Sequence, residues 1–460
     1  MIGAAISRRP SNLSERTMFH KTVERQHVAA ELPSSEILGP STGARDGDWH
    51  GRTAIPLWLA IGCIVLAAMG LRPAIVSVGP IMPSIIDRFE LSYAQASMLT
   101  AIPTLLMGLL ALATPWLVSR FGRDRVIVAA LSVLAVSTLG RALSGSVSGL
   151  FATTVGVGAG IAIAGALIPG FVKSEYPRRV ALLMGVYAMA LSLGSTLAAA
   201  ATGAIAHAFE NWRIPAGLWA APAIIGAIAW LAIAKRAKGE ARTTTKVASF
   251  PLPVRNGTAW LVAMFFAFNN IAFYSFVSWL APVYMEQGYS AASAGLILAA
   301  FTLAFMIATP LFGAVSKDED RRVWLALASA ISFSGALWIA IAPDQLPYVA
   351  VSLLAFGTGG AFTLSMTLPL DNAKTDGEAT AWNAFAMTIS YSIGAAGPLL
   401  VGTLRDASGS FEMPVWMLAA VSCAMLVLTP FLQPHRHRLA ASGRRARWVP
   451  FTQSKVGEKG

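Results

Sequence analysis

Twelve times the chain alternates a long apolar run with a short polar connection, and that pattern leaves it few folds. The runs lie at about 55–84, 94–118, 125–144, 147–171, 181–206, 214–234, 258–284, 291–315, 322–342, 346–370, 379–403 and 413–433. A helix needs roughly 20 predominantly apolar residues to cross a bilayer, and each run is long enough. In lipid every backbone N–H and C=O must find its partner inside the protein, which admits only helices and closed barrels. Barrel strands alternate apolar and polar residues, whereas these runs are apolar throughout. The expectation is an all-α membrane protein with twelve transmembrane helices. Only 13% of its residues are charged, about half the usual share of a soluble domain, roughly a quarter.

The net charge of +12 would point to nucleic acid in a soluble protein. In this chain the basic residues gather in connections and tails, so the expected partners are a lipid bilayer and a small-molecule substrate, with no nucleic acid. Cys63 and Cys423 fall inside apolar runs and no Cys/His cluster occurs, so no disulfide framework, metal site or cofactor is expected. No nucleophile–base set stands out, and the chain does not read as an enzyme.

Residues 1–52 are polar and lack helical periodicity, which reads as a disordered cytoplasmic tail. A six-helix half at 53–234, a polar cytoplasmic central loop at 235–257, a second half at 258–433 and a basic cytoplasmic tail at 434–460 complete the plan. Lys and Arg near span ends favour the cytoplasmic side. With both tails inside, the inner loops hold sixteen Lys and Arg, against Arg88, Arg141, Arg213 and Arg405 outside. The halves echo one another: Gly160 and Pro169 match Gly360 and Pro369, and SLG ending at Gly194 matches SIG ending at Gly394, at a common offset of 200. Parallel six-helix repeats mark a class of secondary transporters that bind substrate at mid-membrane between the halves. A monomer in the inner (plasma) membrane is expected.

Twelve spans in two sixes with a long central loop resemble the major facilitator superfamily (MFS). The connection PWLVSRFGRDRV, 115–126, resembles that superfamily's signature GxLADRxGRR, with Pro115 and Ser119 as departures. The resemblance implies a gating role for Arg120, Gly122, Arg123, Asp124 and Arg125. A narrower likeness is to the cyanate permease and nitroimidazole transporter family, carried by LRPAIVSVGP (71–80), GAGIAIAGALIPGFVK (158–173), SWLAPVYMEQG (278–288), LPLDNA (368–373) and GPLLVGTLRDASGSF (397–411). It implies a bacterial inner-membrane carrier for a small anion or small polar organic solute.

Arg72 is the only charged residue between Ile55 and Ile86. A charge at the centre of a membrane helix costs about 2.5–3.5 kcal/mol on insertion scales and consequently faces a partner or a cavity. No Asp or Glu lies well within any span, so a planar, permanently charged fork suits a small anion, nitro or carboxylate group. The bland alternative is an arginine that locks helix packing. Asn270 and Tyr274 are four apart and share a helix face; with Asn269 they offer amide and phenol groups to a polar solute, or else hydrogen-bond between helices. Trp382 and Asn383 open span 11, and Tyr187 lies in span 5; an interfacial anchor is the competing role for Trp382. Arg141, near the end of span 3, is expected to snorkel to the surface. Prolines including Pro80, Pro83, Pro103, Pro115 and Pro169 should kink their helices.

Alternating access about a midplane site containing Arg72 is the expected mechanism. The coupling ion stays open, because arginine does not titrate and no carboxylate or histidine is well placed. Relative to the superfamily, span 5 lacks the antiporter-motif proline, while span 11 carries GAAGP. The competing reading is broad efflux of hydrophobic compounds, for which an aromatic and Met-lined cavity is expected. A non-transporting sensor is disfavoured, since neither tail resembles a signalling domain.

Overall fold

The computed structural model describes residues 55–236, 251–316, 320–373 and 375–433. The tails at 1–52 and 434–460, and much of the loop at 235–257, lie outside the described residues. Among the described residues there is no strand, and twelve helices are long and apolar enough to cross a membrane. Spans 1 to 6 are Leu57–Val76, Tyr93–Phe121, Arg123–Leu143, Val147–Glu175, Pro177–Ala208 and Arg213–Lys235. Spans 7 to 12 are Gly257–Glu286, Ala291–Val315, Arg322–Ile341, Pro347–Asn372, Gly377–Ser408 and Glu412–Phe431. Each matches one apolar run, with ends that differ by up to eight residues, the most at span 1, expected to reach 84.

Successive spans run in opposite directions, so the connections near 90, 145, 210, 288, 344 and 410 share one end of the bundle, the upper end. Polar residues close the helices where the apolar runs stop. Ser92, Ser146, Ser290 and Thr375 each accept an N–H of the first turn with the side chain, supplying partners that a helix start lacks. At the span 2–3 connection, Gly122 has φ +85°, a conformation open to glycine and costly for a β-carbon.

Span 1 is not one continuous helix. A helix at Leu57–Leu71 gives way at Arg72 to a turn at Pro73–Val76, and Val78–Phe89 follows after Ser77. Pro73 and Pro80 cause this: proline has no N–H to donate, and its ring crowds the carbonyl four residues back. The sequence reading anticipated Pro80 but not Pro73, which puts Arg72 at the interruption itself.

Close packing rests on small residues, which let membrane helices approach backbone to backbone. The contacts recur about two hundred residues apart. A β-carbon on Gly194 of span 5 would strike Met69 of span 1, and one on Gly394 of span 11 would strike Asn270 of span 7. Gly203 of span 5 lies against Ala291 at the start of span 8, and Gly402 of span 11 against Tyr93 at the start of span 2. Gly295 meets the Ala199 carbonyl, while Ser97 Oγ donates to the Pro398 carbonyl at 2.7 Å. One pairing departs from the sequence match. Gly160 lies on Ala130 and Leu134 of span 3, and the residue that repeats this contact is Gly357, on Ala328 and Ser332 of span 9; Gly360 faces the Phe312 ring instead. Gly357 and Gly360 are three apart, close to one helical turn, so spacing alone does not choose between them.

Candidate functional site

Arg72 lies deep in the bundle and is neither fully buried nor exposed. Its Nη1 donates to Tyr274 Oη of span 7 at 3.2 Å, and its guanidinium carbon stands 5.8 Å from the centroid of the Phe273 ring. A cation over an aromatic face gains about 0.5–2 kcal/mol, more when water is excluded. Tyr274 passes its own hydrogen toward Met107 Sδ of span 2 at 3.7 Å. Tyr391 of span 11 and Tyr187 of span 5 are near enough to interact electrostatically with the guanidinium. Four spans besides span 1 therefore converge on one charge. Among the described residues no ion pair includes Arg72; the pairs join Arg123, Arg321, Arg322 and Arg405 to acidic residues.

The position is central by construction. Met69 and Asn270 occupy corresponding places against Gly194 and Gly394, so at the same offset Arg72 corresponds to Phe273, the ring it touches. A residue that contacts its own counterpart lies beside the pseudo-twofold axis that relates corresponding positions of the two sets of six spans.

The surrounding wall is aromatic and sulfur-rich. Phe266, Tyr274 and Tyr391 form a buried cluster, with Met107, Phe273, Phe362, Met366 and Met387 packed against it. Phe266 meets Phe362 at 5.6 Å and Tyr391 at 6.1 Å between ring centroids. Gly108 lets span 2 close onto span 11: a β-carbon there would press to 3.0 Å from the Thr388 carbonyl and 3.2 Å from Tyr391 Cβ. The sequence reading missed Tyr391, Phe273 and the methionines. The available signal was Tyr391 itself, a polar ring immediately before the repeated SIG of span 11.

The other candidates separate. Asn269 and Asn270 are buried, and among the described residues both polar atoms of Asn269 and Nδ2 of Asn270 have no hydrogen-bond partner. Asn270 lies against Gly394 of span 11, on the same face as Tyr274, as its spacing predicts. Tyr187 Oη reaches the Gly165 carbonyl at 3.5 Å. Trp382 does not join this group: it packs with Ala259, Ala263 and Phe385 and borders a cavity of about 860 Å³ at the lower end, shared with Arg255, Asn256, Thr375 and Glu378. Asn383 reaches the aromatic wall at Met387, its Nδ2 3.7 Å from the sulfur.

Arg141 overturns the expectation of snorkelling. It is 1% exposed, Nη2 donates to the Ala74 carbonyl at 2.7 Å, and Nη1 has no partner among the described residues. The residue occupies the face of span 3 turned toward the break in span 1, a choice of face that a uniformly apolar helix hides.

In the span 2–3 connection Arg123 is the hub. It donates to Ser174 Oγ at 2.6 Å and to Glu175 Oε1 at 2.8 Å, and lies 4.8 Å over the Phe171 ring. Asp124 accepts from Arg123 Nε and from Trp230 Nε1, each at 3.3 Å. Arg120 and Arg125 are exposed, while Gly122 supplies the turn. The corresponding corner of the second six spans pairs Arg321 with Asp371 at 2.7 Å.

An all-helical, twelve-span bundle with repeated small-residue contacts and a charge on its central axis defines a polytopic membrane protein of the two-repeat carrier architecture. A family description of the Major Facilitator Superfamily matches residues 57–395, and the chain belongs to that superfamily. It is 32% identical to the cyanate transport protein CynX of Escherichia coli strain K12 over 379 residues, 81% of this chain and 97% of that protein. It is 28% identical to the 2-nitroimidazole transporter of the same organism over 372 residues, 80% of this chain and 93% of that protein. The crystal structure of a bacterial homolog to the human lysosomal transporter Spinster, inward-facing and occupied, shares the fold with a TM-score of 0.67 at 18% identity, covering 85% of this chain and 98% of that one. These relatives are transporters, not enzymes.

Proposed function

We propose that the chain is a secondary transporter of a small anionic or nitro-bearing polar solute, working by alternating access about Arg72. The halves at 53–234 and 258–433 rock against each other in the bacterial inner membrane, with both termini cytoplasmic and the lower end inward. The single observation behind the solute class is the guanidinium of Arg72, held near the axis by a phenol and an aromatic face and, among the described residues, in no ion pair. A bound anion supplies the missing counter-charge through charge-assisted hydrogen bonds, and Asn270, Asn269 and Tyr187 offer further polar groups nearby. The likeness to cyanate and 2-nitroimidazole transporters supports this class. In the same reading, Arg120, Gly122, Arg123, Asp124 and Arg125 shape the inner gate, while Trp382 and Asn383 belong to its mouth.

A second reading, efflux of hydrophobic compounds, is favoured by the ring-and-methionine wall. The two separate on one charge. Uptake and efflux of labelled cyanate and 2-nitroimidazole are to be measured in proteoliposomes, with and without a pH gradient, for the native protein, Arg72→Ala and Arg72→Lys. The expectation is transport of at least one solute, lost in Arg72→Ala and weakened in Arg72→Lys, since lysine lacks the planar fork. Folded Arg72→Ala protein that transports normally would refute the anion reading and favour the hydrophobic one.

A further inference from the structure

We propose that Asp406, at the upper end of span 11, is the latch that holds that end of the carrier shut. Its Oδ1 accepts from Tyr93 N at 2.9 Å and its Oδ2 from Ala94 N at 2.8 Å. These are the first two N–H groups of span 2, contributed by the other set of six spans. Span 2 already has a cap of its own, since Ser92 Oγ accepts from Gln95 N and the Gln95 side chain accepts from Ser92 N. The carboxylate from span 11 is thus a second cap, and helix formation alone does not require it. It adds charge-assisted bonds and a negative charge at the positive end of the helix dipole.

The neighbouring residue strengthens the clasp. Arg405 lies 4.7 Å over the Tyr93 ring, so two consecutive residues of span 11 grip two consecutive residues of span 2. Arg405 is braced within the last six spans by Glu286, at 2.9 Å, and the other oxygen of Glu286 accepts from Phe411 N at 3.3 Å. Just below, Gly402 lies against Tyr93 and Ser97 bonds the Pro398 carbonyl. No rotation can part spans 2 and 11 at this end without breaking both Asp406 bonds. Their free energy therefore counts in one state only, the condition for shifting a two-state equilibrium. The latch is one-sided. At the corresponding place on span 5, facing the start of span 8, the chain carries His207, which has no carboxylate.

The inference does not depend on which solute is carried, and its test needs none. In protein with Cys63 and Cys423 replaced, spin labels at Asp87→Cys and Ala407→Cys, both exposed and on opposite sets of spans, report the width of the upper end after reconstitution. The native Asp406 protein should show a dominant short distance. Asp406→Ala should raise the ratio of long to short distances roughly tenfold, equivalent to about 1.4 kcal/mol and within the range for loss of a cap. Asp406→Asn, which keeps one acceptor oxygen, should fall between and decides the matter if the alanine variant does not fold. Unchanged distances in folded variants, even with a lowered melting temperature, would make Asp406 a structural cap and overturn the latch.

Discussion

At the scale of single residues, two arginines inside the bundle, neither with a carboxylate partner among the described residues, carry different expectations. Arg72 donates to Tyr274, so Tyr274→Phe removes an acceptor but keeps the ring. A hydrogen bond to a charged group contributes about 1.5–3 kcal/mol; freed of it, the guanidinium should turn to solvent or solute. The expected outcome is a KM changed severalfold with a native melting temperature, measured by proteoliposome kinetics and thermal unfolding. Arg141 holds only the Ala74 carbonyl and leaves Nη1 unpaired. Burying an uncompensated charge costs several kcal/mol, so Arg141→Met should leave the melting temperature unchanged or higher. A fall of more than about 4–8 °C, roughly 1 kcal/mol in a small domain and more in a chain of this size, would instead make Arg141 a strut of the span 1 break. The sequence showed that Arg72 needed a partner because charge in an apolar run is visible in one dimension. It did not show the partner's ring cluster, because Phe and Met in a membrane helix look alike whether they face lipid or cavity.

At the scale of elements, the number and length of the spans were legible, since both follow from apolar run length alone. The interruption of span 1 was harder: Pro73 stands beside the charge that drew attention, while Pro80 and Pro83 look like equally good kinks. Pro73→Ala tests the assignment. Alanine restores an N–H and relieves a clash, and proline in a helix interior costs about 3 kcal/mol. The variant should melt higher yet transport more slowly, because a continuous helix moves Arg72 relative to Tyr274. Faster or unchanged transport would show that the break does not place the charge. Trp382 illustrates a different limit. It sits about two turns into span 11, and only the packed bundle reveals that Arg72 and Tyr391 lie deeper, leaving Trp382 near the lower end with Phe385.

At the scale of the molecule, the recurring contacts make the interface between the two sets of spans a predictable target. Thr196 Oγ1 and Thr302 Oγ1 are 3.0 Å apart across spans 5 and 8. A Thr196→Cys, Thr302→Cys pair should oxidise readily and stop transport until reduced; a crosslinked carrier that still turns over would contradict rocking at that seam. The axis itself has a historical consequence. A symmetric ancestor built from two separate copies of the six-helix unit would have placed the same side chain at residue 72 and at its counterpart, residue 273. Two like charges at the 5.8 Å now separating Arg72 from the Phe273 ring repel by about 3 kcal/mol at an effective dielectric of about 20. Such a dimer could carry two guanidiniums at a cost, or none. Within a single chain the paired positions are free to differ, and here they are a cation and the aromatic face that receives it, so the central charge needs no like-charged twin.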